Sequence, residues 1–342
     1  MQISDLILNV ASLFIMMIPG IILKKTNLVN EGFGKGLSNL ILYIAQPCLI
    51  VYAYLDCTSK LADIWLQVVL TFVLSLIVHV IFALVAIPVF KKAPDSKARM
   101  LKFATVFSNA AFMGIPLIIA IMGTEAAIYA SVYNISFNLF LWTLGVQFCT
   151  RREGEDLDGD GDSDIADALL CAKENIKKEN PLLKVLIHPV TLASVIGLLL
   201  LSLGVNVALL EENNLGIIAD SLAMLKALVA PLSMTVIGLR VAEIDLEGFF
   251  GDLYMYVFLF LRHLALPLSV LGIIMLSGAL GIVIDKEVAE VTLIMASAPA
   301  ASSATMFAEK YGCDAKYISR LVVVSTLLSI ATMPLILMLY GA

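Results

Sequence analysis

Charge is scarce in this chain. Asp, Glu, Lys and Arg make up 15% of 342 residues, where soluble domains carry roughly 25%. With 60% hydrophobic residues and a mean hydropathy of +0.96, an ordinary soluble domain is excluded and a polytopic membrane protein is predicted. No Asp or Glu falls near the centre of any long apolar run; Asp220, Glu290 and Glu309 lie near run ends. That disfavours a cation/proton antiporter, which needs a midplane carboxylate. Neither GxSxG nor HExxH occurs, and no carboxylate pair lies within the runs, so an intramembrane enzyme is not expected. The five cysteines form no CxxC pair and no metal-ligand spacing, and read as packing or inert thiols. The N-terminal stretch lacks a basic leader and a small-residue cleavage site, so it reads as a first span rather than a signal peptide.

What the chain has is long apolar runs. A bilayer core needs about 18 consecutive residues or more, and ten runs qualify: 5–23, 36–54, 64–90, 101–122, 126–149, 185–204, 217–239, 253–280, 288–308 and 316–340. With the N-terminus outside, 18 of the 22 Lys and Arg residues fall inside. Only Lys60 and Lys286 fall outside, and Lys226 and Arg262 lie within spans. This positive-inside split predicts both termini extracytoplasmic, in the plasma membrane.

The one long connection, 150–184, is predicted as a cytoplasmic acidic linker between halves 1–149 and 185–342. The halves echo each other. Pro47 lies 184 residues before Pro231, Pro116 lies 183 before Pro299, and His79 lies 184 before His263. Five spans per half is odd, so the second half enters from the opposite face. The expected fold is all-α, with ten transmembrane helices in two inverted five-helix repeats.

Two spans carry breaks. Span 9 centres on Pro299 among Ser297, Ala298, Ala300, Ala301, Ser302 and Ser303; span 4 holds Asn109, Gly114 and Pro116. Proline removes an N–H and displaces a carbonyl, and broken backbone is tolerated at membrane depth only beside protein or a polar cavity. If helices 4 and 9 cross, their N-terminal ends suit a carboxylate, with Asn109, Ser302 and Ser303 adding hydrogen bonds. The plainer reading is kinks with small-residue packing. Gln46 precedes Pro47. Lys226, deep in span 7, reads either as a counter-charge for an anion or as a snorkelling residue. Asn134 and Asn138 share one helical face, as a cavity lining or as interhelical glue. Arg262 reads as an interfacial or structural ion-pair residue. His79 and His263 are candidate proton carriers or plain buried histidines.

In the linker, Asp156, Asp158, Asp160, Gly161, Asp162, Asp164 and Asp167 take EF-hand positions 1, 3, 5, 6, 7, 9 and 12. Position 12 lacks the usual Glu and position 8 is Ser163, so a solvated acidic linker stands beside the Ca2+ reading.

Together these segments resemble the auxin efflux carrier family, which includes plant PIN-formed proteins and bacterial malate or malonate permeases. The similarity rests on SNAAFMGIP in span 4, SAPAASSATMFAEKYGCDAKYISRLVVVSTLLS across spans 9 and 10, APLSMTVIGL in span 7 and FNLFLWTLG in span 5. The resemblance implies broken helices 4 and 9 crossing at Pro116 and Pro299, with a small carboxylate bound beside the crossing. It also implies spans 1, 2, 6 and 7 as a scaffold and homodimer interface, leaving Lys226 on a cavity wall, and elevator-like alternating access. The short linker points to the prokaryotic-type branch. No cofactor is required; H+ or Na+ are the candidate coupling ions, and nucleic acid is not an expected partner. The alternatives are a sodium-coupled symporter of the bile-acid type and a ligand-sensing membrane receptor.

Overall fold

A computed structural model describes residues 3–30, 32–150, 181–243 and 251–341. The acidic stretch with Asp156, Asp158, Asp160, Asp162 and Asp167 lies outside the described residues. Every named element is a helix, and the only β-type pairing among the described residues is one isolated antiparallel bridge. The elements are α1 (Ile3–Ile15), α2 (Ile18–Lys25), α3 (Phe33–Leu55), α4 (Leu61–Val89), α5 (Asp95–Val106), α6 (Ala110–Met122), α7 (127–150), α8 (Pro181–Ile187), α9 (Pro189–Ser202), α10 (Val207–Glu212), α11 (Gly216–Glu243), α12 (Leu253–Ala279), α13 (Lys286–Ser297), α14 (Ser303–Tyr311) and α15 (Ala315–Gly341). Among the described residues, six helical stretches are long and apolar enough to cross a membrane: Leu8–Lys25, α3, α4, α11, α12 and α15. Helices dominate because apolar runs offer the backbone no water, and only intrahelical bonds satisfy every N–H and C=O.

The prolines shape these helices without ending most of them. Pro47, Pro116 and Pro267 each stand two residues past the end of a π-helical turn: Ile41–Ala45, Ala110–Gly114 and Leu261–Ala265. A proline cannot donate to the carbonyl four residues back, and its ring crowds that carbonyl. One widened turn absorbs the mismatch and the helix continues.

Two groupings follow from the packing. α2 lies against α11, and α3 against α9 and α11. The α2–α11 approach is backbone to backbone: a Cβ on Gly20 would sit 2.1 Å from the Thr235 carbonyl oxygen, and one on Gly238 2.0 Å from that of Met17. Small residues permit such contact and nothing larger fits. The second grouping gathers α4, α5, α7, α12, α13 and α15, with fully buried Phe103, Phe107, Met295 and Leu321 at its core. Large apolar residues such as Ile217 and Met224 stay exposed on the outer faces, as lipid-facing side chains would.

Candidate functional site

The site is built where two helical breaks meet. α5 ends at Val106 and the chain turns extended at Phe107; α13 ends at Ser297 and the chain turns extended at Ala298. The second turn is dictated locally, since a residue before proline is pushed out of the helical region. The two short segments then pair antiparallel, Ser108 opposite Ala300. The Asn109 N–H donates to the Pro299 carbonyl at 2.7 Å, and the Ala301 N–H donates to the Phe107 carbonyl at 2.9 Å. Each break thus supplies what the other lacks, which lets irregular backbone persist in a buried place.

The crossing falls at Ser108 and Ala300, not at both prolines. Pro116 sits seven residues past Asn109 in the first turn of an α-helical stretch, its missing N–H accommodated by the π-helical turn Ala110–Gly114. Gly114 meets the other broken helix, where a Cβ would come 2.7 Å from the Met295 sulfur.

Two helix N-termini face the crossing. Asn109 precedes α6 and Ser302 precedes α14; neither side chain caps its own helix. Instead the Asn109 Nδ2 donates to the Ser302 Oγ at 3.0 Å, joining the two N-termini. Ser303 is the first residue of α14. From α3, the buried Gln46 donates through Nε2 to the Ala111 carbonyl at 2.6 Å, and its Oε1 has no donor among the described residues.

The remaining sequence candidates are elsewhere engaged. The Asn134 Nδ2 donates to the Ala130 carbonyl of its own helix at 2.9 Å, and the Asn138 Nδ2 lies 3.3 Å from the His188 Nδ1 between α8 and α9. Lys226 donates to the Thr124 hydroxyl at 3.3 Å and lies 3.6 Å from the centre of the Tyr52 ring. None of the three bonds to the crossing segments.

Sequence reasoning missed Ser325 and misread Arg262. The Ala300 N–H donates to the Ser325 Oγ at 3.0 Å, and the Ser325 hydroxyl lies 2.8 Å from the His263 Nε2. The Thr332 hydroxyl donates to the Leu328 carbonyl, so its oxygen accepts from the His263 Nδ1–H at 3.0 Å. The His263 Nε2 therefore accepts from Ser325, and the neutral imidazole is fully bonded. His79 donates through Nδ1 to the Ser75 carbonyl at 2.7 Å and stacks on Phe140 at 5.2 Å between ring centres. Arg262 is wholly buried, not interfacial, and no carboxylate pairs with it among the described residues. Its Nε and Nη2 donate to the Ala298 carbonyl at 3.1 and 2.5 Å, and its Nη1 to the Thr105 carbonyl at 3.1 Å.

A family model described as "membrane transport protein" matches residues 5–337. The chain belongs to this family, the auxin efflux carriers. No curated protein matches it. The transporter also carries a cavity of about 230 Å3 that reaches Ser302 and Thr305 and is lined by Arg240, Lys316, Arg320 and Glu243. Glu243 is paired with Lys24 at 2.7 Å. The lining therefore holds three cations, Arg240, Lys316 and Arg320, to one carboxylate.

Proposed function

We propose that the protein is a secondary carrier of small organic anions, carboxylates foremost, working by alternating access. One observation carries this reading: the division of charge at the crossing. The C-terminal ends of α5 and α13 are neutralised by Arg262. The N-terminal ends of α6 and α14 meet at Asn109 and Ser302. The partial charge left over is positive, and amide and hydroxyl groups stand beside it. Such ends suit a carboxylate. The cation-lined cavity that reaches Ser302 supports the same sign of substrate.

In this proposal the chain forms ten transmembrane helices in two inverted repeats, 1–149 and 185–342, with both termini outside and the linker inside the cell membrane. Helices α4–α7 and α12–α15 form the moving, elevator-like part. The close-packed α2, α3, α9 and α11 form the framework, through which two copies pair. Uptake of radiolabelled mono- and dicarboxylates into proteoliposomes tests the reading. Saturable flux that falls in Asn109→Ala is the expected outcome. A panel without saturable flux removes it.

A further inference from the structure

The largest fully buried side chain among the described residues is a cation, Arg262. A charge so placed demands a counter-charge, and among the described residues no carboxylate provides one. The guanidinium reaches the last carbonyls of two broken helices instead: Ala298 at the end of α13 by two bonds, and Thr105 at the end of α5 by one. Each helix C-terminus is equivalent to about half a negative charge. Two such ends sum to roughly one, which one guanidinium balances. The face of Phe82 lies 5.4 Å from the guanidinium carbon and adds a further negative surface.

Carbonyl ends of broken helices are also what a coupling cation uses in membrane carriers. We infer that Arg262 is a built-in cation at this crossing: its guanidinium fills the place between the two helix ends that a bound sodium ion would need, so the carrier turns over without sodium there. The π-helical turn Leu261–Ala265 sets this up, because it buries Arg262 and His263 side by side. His263 reaches the same crossing through Ser325 and the Ala300 N–H. Arg262 is a positioning residue: it holds the two helix ends and does not touch the proposed carboxylate.

The test needs no carboxylate. Purified protein is melted in choline chloride with increasing sodium chloride at constant ionic strength. The wild type is expected to shift by less than about 1 °C across the titration. Arg262→Ser leaves two bare carbonyl ends and a space; it melts lower, and sodium restores it saturably by roughly several degrees, as a ligand of the folded state does. Arg262→Lys keeps a cation and stays indifferent. A merely structural arginine would lower the melt in Arg262→Ser without creating a sodium response. Saturable stabilisation of the wild type by sodium overturns the inference, as does a folded Arg262→Ser protein that ignores sodium. If Arg262→Ser does not accumulate, the wild-type titration decides alone, indifference supporting the inference and a saturable rise overturning it. Sodium binding by the wild type would leave the carboxylate proposal standing; an absence of carboxylate flux would leave this inference standing.

Discussion

Two regions of this transporter bring backbone against backbone, and they do it for opposite ends. Between α2 and α11, Gly20 and Gly238 let two helices touch, and among the described residues no backbone hydrogen bond runs between them. At the crossing, Ser108 and Ala300 touch because both helices have stopped. Small residues serve both places, so residue size does not separate them. What separates them is where the backbone groups go. The first contact is close packing without a bond between backbones, and its surfaces fit a rigid framework. The second leaves helix ends exposed to each other and pairs them through side chains, Arg262 on one side and Asn109 with Ser302 on the other. A carrier needs both kinds of contact: one that holds, and one that presents charge.

The sharpest way to break the comparison is at the framework. Gly238→Ala puts a Cβ 2.0 Å from a backbone oxygen that cannot step aside. It is expected to cost about 2–3 kcal/mol of stability, despite the ~1 kcal/mol that alanine gains over glycine in helix propensity. Melting in detergent reads it, and an unchanged melt would mean the helices part easily. At the crossing, Ser325→Ala strips the acceptor from the Ala300 N–H and the donor from His263, and costs about 2 kcal/mol. Serine to alanine at the exposed Ser221, bonded only within its own helix, is the control and leaves the melt in place.

Asn109→Ala separates function from stability. The Ser302 bond is one neutral hydrogen bond, so the melt falls little while carboxylate uptake falls by roughly tenfold, about 1.4 kcal/mol in the transport barrier. A larger loss of stability than of flux would make the asparagine a brace. Lys316→Gln on the cavity wall is expected to raise the half-saturating carboxylate concentration by roughly threefold, with less effect at high salt. Maximal flux and melting stay unchanged, since Lys316 is exposed.

The smallest effect lies outside both regions. Partial burial of Asp252 would by itself raise its carboxyl pKa, but hydrogen bonds from Lys97, at 2.7 Å, and from Tyr317 outweigh it and hold the group below the usual carboxylate value. A depressed folded-state value contributes stability above the unfolded pKa of about 3.9 and loses it as pH falls through the folded one. Lys97 is partly exposed, so the contribution is screened to a few tenths of a kcal/mol. The gap in melting between wild type and Asp252→Asn is expected to be constant from neutral pH down to about pH 5 and to close below about pH 4. A gap that widens in acid would reverse the sign assigned here.

Much of the crossing was legible in the residues. Pro299 forces Ala298 out of the helix whatever surrounds it, and Asn109 and Ser302 stood out as polar groups in apolar spans. Pro116 misled, because proline at a membrane depth looks like a break. A π-helical turn before it lets the helix run on, and the break falls upstream, where Ser108 and Asn109 find partners on the other chain segment. Asn134 and Asn138 were readable as a polar face but not as to what that face meets.

The sequence alone determined that this chain enters a membrane, that its apolar runs are helical and that two of them are interrupted by small and polar residues. Those properties depend on composition and on near neighbours, and no fold is needed to impose them. Only the tertiary structure decided what Arg262 does. Its partners, Thr105 and Ala298, stand far from it along the chain, and their carbonyls become acceptors only because both helices end at one point. A side chain shows its charge in the sequence; which backbone dipoles it answers depends on where the helices stop.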